Sequence, residues 1–222
     1  MFVTTLDSFE TPSFAGKLAT LDHVLTADLF AKVAEEVNAL IETERSYLPT
    51  HKKGGTVAYS VLREKAPTLV SHYRSAGMLR IVSRIVGAVV LPTPLHDESS
   101  CSVLFYEKPG DHINWHYDHN FYRGRHFTVL IPVVNRGRDG GLSAARLLVK
   151  QGGHDLELAT PPNRLILFEG AKVKHKVTPI NEGERRAVWS MTYCTDPRNS
   201  AFQGVARRVK DTAFFGLRSL WT

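Results

Sequence analysis

Apolar and polar residues along the chain fall into two textures, helical first and strand-like afterwards. From Thr26 to Ile41, Leu29, Phe30, Val33, Val37, Leu40 and Ile41 recur at helical spacing on one face, and Thr26 stands where a hydroxyl can cap the helix. Pro49 and the stretch from His51 through Lys52 and Lys53 to Gly54 and Gly55 break this pattern and predict a loop. A second helical region is expected from about Ala66 to Val86, with Leu69, Tyr73, Ala76, Leu79, Val82 and Val86 on its apolar face. Gly77 is the expected break within it, and Pro92 and Pro94 close it. Beyond that point, short runs rich in β-branched and aromatic residues alternate with turn residues: Ser102–Tyr106, Asp111–Tyr117, Phe127–Val134, Ala144–Val149, Leu165–Phe168, Lys174–Thr178 and Arg186–Cys194. Helices followed by evenly spaced short strands predict an α+β domain, a β-sandwich or jelly roll buttressed by N-terminal helices. The expected division is one domain over 1–222: a mainly helical support region over 1–95, a jelly-roll core with the metal site over 96–196, and a C-terminal tail over 197–222.

Composition narrows the class. The 222 residues are 43% hydrophobic and 23% charged, which excludes a disordered chain. No apolar run reaches the ~18 residues that span a bilayer, so no membrane segment is expected. The first residues carry no basic stretch ahead of an apolar one, unlike a signal peptide. Two cysteines, Cys101 and Cys194, allow one bridge but no disulfide framework, and a reduced, cytoplasmic setting is expected. The net charge of +6 is modest. Its mild excess at Arg198, Arg207, Arg208, Lys210 and Arg218 reads as a solvated tail, because no interleaved aromatics accompany it; a nucleic-acid partner is not expected.

Histidine is concentrated between Asp111 and Asn120, where His112, His116 and His119 stand. On a strand, residues two apart share a face, so His116 and Asp118 can meet one metal ion from adjacent corners. His-x-acid is a weak motif alone. His96 with Glu98 is a second instance, in a Pro-flanked loop without strand character, and it reads as surface. His112 and His116 have the helical spacing of a zinc protease, but Ile113 stands where that motif requires glutamate, and the context is β-rich. A third ligand is available in His175, within an alternating run about sixty residues downstream. Two histidines and one carboxylate make the face that leaves open positions on non-haem Fe(II). Arg185 lies ten residues beyond His175, after a turn at Asn181–Glu184. Its guanidinium fork matches a carboxylate, and a buried arginine facing a metal pocket implies an anionic co-substrate. Arg185 and Arg186 point to opposite faces of a strand, and the spacing after Gly183 favours Arg185.

His116, Asp118, His175 and the Gly183-x-Arg185 step together resemble the signature of the Fe(II)/2-oxoglutarate-dependent oxygenases, most closely the prolyl-4-hydroxylase-like branch. The likeness runs from Ser102 to Tyr193. It implies a double-stranded β-helix (jelly-roll) core with His116, Asp118 and His175 as iron ligands, and Arg185 on the distal carboxylate of 2-oxoglutarate. Tyr106 resembles the tyrosine that lines the co-substrate pocket in that branch. Thr128, Leu130, Trp189 and Met191 are further candidates for the pocket, and packing explains them equally well. Gly140, Gly141 and Leu142 depart from the branch's Gly-Gly-x-Leu, leaving that strand's register open.

The implied cofactors are Fe(II), 2-oxoglutarate and O2. The implied reaction oxidises an unactivated C–H bond while 2-oxoglutarate becomes succinate and CO2. The halogenating relatives have glycine or alanine where this chain has Asp118, so hydroxylation or a related oxidation is expected. The chain's modest length favours a small-molecule substrate such as an amino acid or natural-product intermediate. The alternatives are a prolyl-type protein hydroxylase and, from another class, a metal-binding β-sandwich without turnover. Trp115 is expected in the core. His112 and Asn114 are expected on the metal-facing side, with His119, Asn120, Tyr122, Arg123 and Arg125 on the rim loop.

Overall fold

The computed structural model describes residues 10–43, 52–94, 96–199 and 206. Pro49 and His51 of the expected loop, and Arg207, Arg208, Lys210 and Arg218 of the basic tail, lie outside them. In chain order the elements are β1 (Leu18–Leu21), α1 (Ala27–Thr43), β2 (Lys52–Lys53), β3 (Gly55–Val57), α2 (Tyr59–Lys65), α3 (Pro67–Tyr73), α4 (Ala76–Val86), β4 (Leu91–Pro92), β5 (Cys101–Tyr106) and β6 (His112–His116). There follow β7 (His126–Arg136), β8 (Leu147–Gln151), β9 (His154–Leu158), β10 (Leu165–Glu169), β11 (His175–Val177) and β12 (Arg185–Cys194).

The second helical region divides differently from its expected break at Gly77. Ala66 precedes Pro67 and leaves helical geometry (φ −137°, ψ 63°), as a residue before proline tends to, and this separates α2 from α3. Ser75 opens α4 by accepting the Met78 N–H at 3.1 Å, Gly77 stays inside the helix, and Gly87 ends it at φ +68°. The start of α2 is satisfied from a distance: Glu98 accepts from the Ser60 N–H at 3.0 Å and its hydroxyl at 2.9 Å. Glu98 and Asp97 are therefore buried, not surface residues as the loop-like sequence implied; of that trio only His96 is exposed.

Among the described residues all strand pairings are antiparallel. A larger sheet runs β1-β10-β7-β12-β5-β3, with β4 also on β12, and a smaller one runs β2-β6-β11-β8-β9. The two face each other as a jelly roll. The expected helical support region contributes β1 to β4 to these sheets, and Lys52–Lys53 and Gly55–Val57 are strands where a loop was expected. Strand alternation assigns the two faces of the larger sheet. Ala187, Trp189, Met191 and Tyr193 of β12 join Val103, Phe105, Val129 and Ile131 in the core beneath the helices, which supply Val33, Val37, Leu62, Leu69 and Val82. Trp189 and Met191 thus belong to that core and not to the expected pocket. The Trp189 indole N–H points at the Cys101 sulfur at 3.1 Å. Both cysteines are free and buried, and burial pushes each thiol's pKa up to about 12. The opposite face of β12, with Val188, meets the smaller sheet's Ile113, Leu147, Val149 and Val177 in a second core. Among the described residues no helix is long and apolar enough to cross a membrane.

Candidate active site

Between the two sheets lies a cavity of about 360 Å³. Pairing of β6 with β11 sets His116 opposite His175 and Ile113 opposite Val177. Three steps along β6 thus match two along β11, a β-bulge that resets the alternation. It brings Ile113 as well as His116 onto the cavity wall and leaves Asn114 exposed, against the expectation that His112 and Asn114 share the metal-facing side. The His112 Nδ1 lies 2.7 Å from the Gly110 carbonyl oxygen instead. Trp115 also departs from expectation. It borders the cavity with the Lys150 and Lys176 ammoniums 5.0 and 4.8 Å from its ring.

His116, Asp118 and His175 each offer one ligand atom within 4.8 Å of the others. Asp118 Oδ1 stands 3.6 Å from His116 Nε2 and 3.7 Å from His175 Nε2. The other ring nitrogens lie against backbone carbonyls, His116 Nδ1 2.8 Å from Asn114 and His175 Nδ1 3.0 Å from Val173. A proton on each Nδ1 leaves both Nε2 lone pairs facing Asp118, the tautomer a metal requires. Phe168 packs against the His175 ring with centroids 4.6 Å apart.

Asp118 is held from three sides. Its N–H donates to the Gly170 carbonyl at 3.1 Å, and its Oδ2 accepts from the Thr128 hydroxyl. A Cβ on Gly170 would stand 2.7 Å from the Asp118 Cβ, so only glycine fits there. Burial alone would raise the Asp118 pKa; the electrostatic attraction of the His175 and His116 rings, with the Thr128 hydroxyl, outweighs it and holds the carboxyl below its ordinary value. Thr128 therefore orients the Asp118 carboxylate, a more specific position than the general pocket lining its place in the sequence suggested. Thr128→Val is expected to weaken Fe(II) affinity about 10-fold to 100-fold, read by metal titration.

At another part of the wall, β12 decides between the two arginines. The odd-numbered residues from Ala187 to Tyr193 face the helices, so Arg186 shares the cavity face with Val188, Ser190 and Thr192. Arg186 is 1% exposed and its Cζ lies 5.3 Å from the centre of the Tyr106 ring. Among the described residues, Arg186 Nε and the Tyr106 hydroxyl find no hydrogen-bond partner. Burial lowers the Arg186 pKa and raises that of Tyr106 to about 12. Arg185 instead pairs with Glu107, Nε to Oε1 3.0 Å, and does not line the cavity. The spacing from Gly183 favoured Arg185, which β12 turns away from the cavity; the bulky odd-numbered set Trp189, Met191 and Tyr193 was the signal that fixes the face.

The loop after Asp118 is also more built than its sequence suggests. The Tyr122 hydroxyl donates to Asp97 at 2.6 Å, and Asn120 donates to the Gly124 carbonyl at 2.8 Å. Arg125 pairs with Glu169 at 3.1 Å, and Arg123 is exposed. His119 lines the cavity and stacks on Phe121 with centroids 5.9 Å apart.

Residues 7–139 match the family model described as Halogenase D, and residues 101–193 match that of the 2OG-Fe(II) oxygenase superfamily. No curated protein matches. Among solved structures, a prolyl hydroxylase from Trichoplax adhaerens, in complex with a hypoxia inducible factor peptide fragment, aligns with TM-score 0.64 and 16% identity over 82% of this chain and 84% of that one. A prolyl-4-hydroxylase from Pseudomonas putida aligns with TM-score 0.63 and 16% identity over 83% and 95%. EctD from S. alaskensis, with 2-oxoglutarate and 5-hydroxyectoine, aligns with TM-score 0.63 and 12% identity over 82% and 73%.

Proposed function

Because the chain belongs to the Halogenase D family and to the 2OG-Fe(II) oxygenase superfamily, we propose that it hydroxylates an unactivated C–H bond of a small molecule, such as an amino acid or natural-product intermediate. As an oxygenase it uses Fe(II), 2-oxoglutarate and O2, and the reading as a β-sandwich without turnover is set aside. The observation that carries the finer reading is the convergence, in one cavity, of two imidazole Nε2 atoms and a carboxylate with a buried arginine that has no ion-pair partner among the described residues.

The side chains fit both groups. Nε2 of His116 and His175 and Oδ1 of Asp118 are a donor set for Fe(II). Arg186 and the Tyr106 hydroxyl are buried donors that face each other with no carboxylate paired to them among the described residues, and a distal carboxylate would supply that acceptor. When bound, iron and 2-oxoglutarate supply the oxidising chemistry: with O2, the keto-diacid yields succinate and CO2 and one oxygen atom enters the substrate C–H bond. The protein's part is placement. The carbonyls of Asn114 and Val173 fix the imidazole tautomers, and Thr128 turns Asp118 Oδ1 toward the imidazoles. Ile113, Leu130, Val177 and Val188 give the cavity wall apolar surface that disfavours water, and Ser102, Ser190 and Thr192 give it hydroxyl groups.

Halogenation is the second reading, favoured by the description of the family model. Asp118 opposes it, because a carboxylate in the ligand set occupies the position that a halide requires. One screen separates the readings: Fe(II)-dependent succinate formation from 2-oxoglutarate across amino acids, small metabolites and prolyl peptides, with and without chloride, followed by product mass. A product gaining one oxygen from a small molecule is expected in both halves. A chlorinated product overturns hydroxylation, and turnover only with prolyl peptides overturns the small-molecule reading.

A further inference from the structure

The cavity wall carries two cations, and the reading above uses one. Lys52 of β2 is buried, 6% exposed, opposite Ile113 of β6. Its ammonium crosses from the smaller sheet to the larger one and donates to the Thr56 hydroxyl on β3. Thr56 pairs with Leu104, two residues from Tyr106 along β5, and Tyr106 pairs with Arg186. Lys52, Thr56, Tyr106 and Arg186 all line the one cavity.

Neither cation has an ion-pair partner among the described residues. The acid facing Lys52 is Asp111, whose Oδ2 is already engaged by the Glu107 and Lys108 N–H groups at 3.0 Å each. The other ionisable groups on the cavity wall are Tyr106 on β5, Arg186 on β12, Asp118, and His116, His119, His126 and His175, and His112 lies opposite Lys53 on β6. None puts a negative charge within hydrogen-bond reach of the ammonium. An ammonium held only by a hydroxyl in a largely apolar cavity is costly, and a ligand carboxylate would relieve that cost.

We propose that Lys52 is a second carboxylate-binding residue of this cavity, receiving an acid group of the bound small molecules alongside Arg186. The inference rests on the cavity being the 2-oxoglutarate site. The carboxylate comes from the distal end of the co-substrate or from the substrate itself.

Proton linkage gives it a signature. Burial pushes the Lys52 pKa down to about 7, with Asp111 opposing part of that shift. A carboxylate arriving at the ammonium raises the pKa again. Below the empty-cavity value Lys52 is already charged. Above it, binding takes up a proton, so affinity falls as pH rises, by up to tenfold per pH unit.

The test is calorimetry on the full-length, Mn(II)-loaded protein between pH 6.5 and 8.5. N-oxalylglycine, an unreactive isostere of 2-oxoglutarate, is titrated first, and L-amino acids are then titrated onto that complex. In one of the two arms, Lys52→Met is expected to weaken binding about 10-fold to 100-fold. Lys52→Arg restores the affinity without the pH dependence, because a guanidinium stays charged. The arm that changes identifies the source of the carboxylate. Proton uptake by the wild type, read in buffers of different ionisation enthalpy, requires no variant to fold. Unchanged affinities in both arms, or no proton uptake by the wild type, overturn the role of Lys52 alone. Failure of the wild type to bind N-oxalylglycine overturns the cavity reading as well.

Discussion

Arg186→Met is expected to weaken 2-oxoglutarate binding about 30-fold to a few thousand-fold, the usual cost of truncating one partner of a buried charge pair. Arg185→Met is expected to leave it within about twofold, as for a substitution away from the site. The difference follows from where β12 places the two side chains. Arg186 is buried on the cavity face with no ion-pair partner among the described residues, whereas Arg185 is half-buried, off the cavity and already paired with Glu107. A second ligand separates a lost contact from a damaged fold. 2-Oxopentanoate lacks the distal carboxylate, so wild type and Arg186→Met should bind it alike. Equal losses for both ligands would mean that Arg186 only supports the strand. A loss confined to Arg185→Met would reinstate the arginine favoured by the spacing after Gly183.

The second large effect is at the metal. His175→Ala, His116→Ala and Asp118→Ala are each expected to cost more Fe(II) affinity than the about 10-fold to 100-fold of an outer partner such as Thr128, and to abolish succinate formation. Each removes one of three donor atoms that the fold brings within 4.8 Å of one another. Removing Asp118 also deprives both imidazoles of the carboxylate between them. Metal titration with thermal melting distinguishes this from unfolding: the apo variants should melt near the apo wild type but lose the stabilisation that metal confers. An Asp118→Ala variant that retains wild-type metal affinity would place the ion elsewhere.

The spacing of His116, Asp118 and His175 was legible in the sequence because the pattern depends on residue type and strand alternation alone. The jelly roll was legible for the same reason: Phe127–Val134 and Arg186–Cys194 announce long strands. What remained hidden depends on partners distant in the chain. The bulge that carries Ile113 into the cavity is a property of how β6 pairs with β11, and no feature of either segment alone marks it. Asp97 and Glu98 look like loop acids until Tyr122 and the start of α2 arrive as their donors. Lys52 stands in a stretch of lysine and glycine that reads as solvated turn, and only its pairing with β6 buries it. The choice between Arg185 and Arg186 was partly legible, since the bulky odd-numbered residues of β12 already mark the core face.

The most direct measurement is an anaerobic optical titration of the wild-type protein with Fe(II) and 2-oxoglutarate. With both present, a visible charge-transfer band should appear, absent with either alone and absent in His175→Ala. A protein that binds Fe(II) yet gives no band with 2-oxoglutarate, or a band that persists in His175→Ala, would contradict iron and keto-diacid meeting between these two sheets.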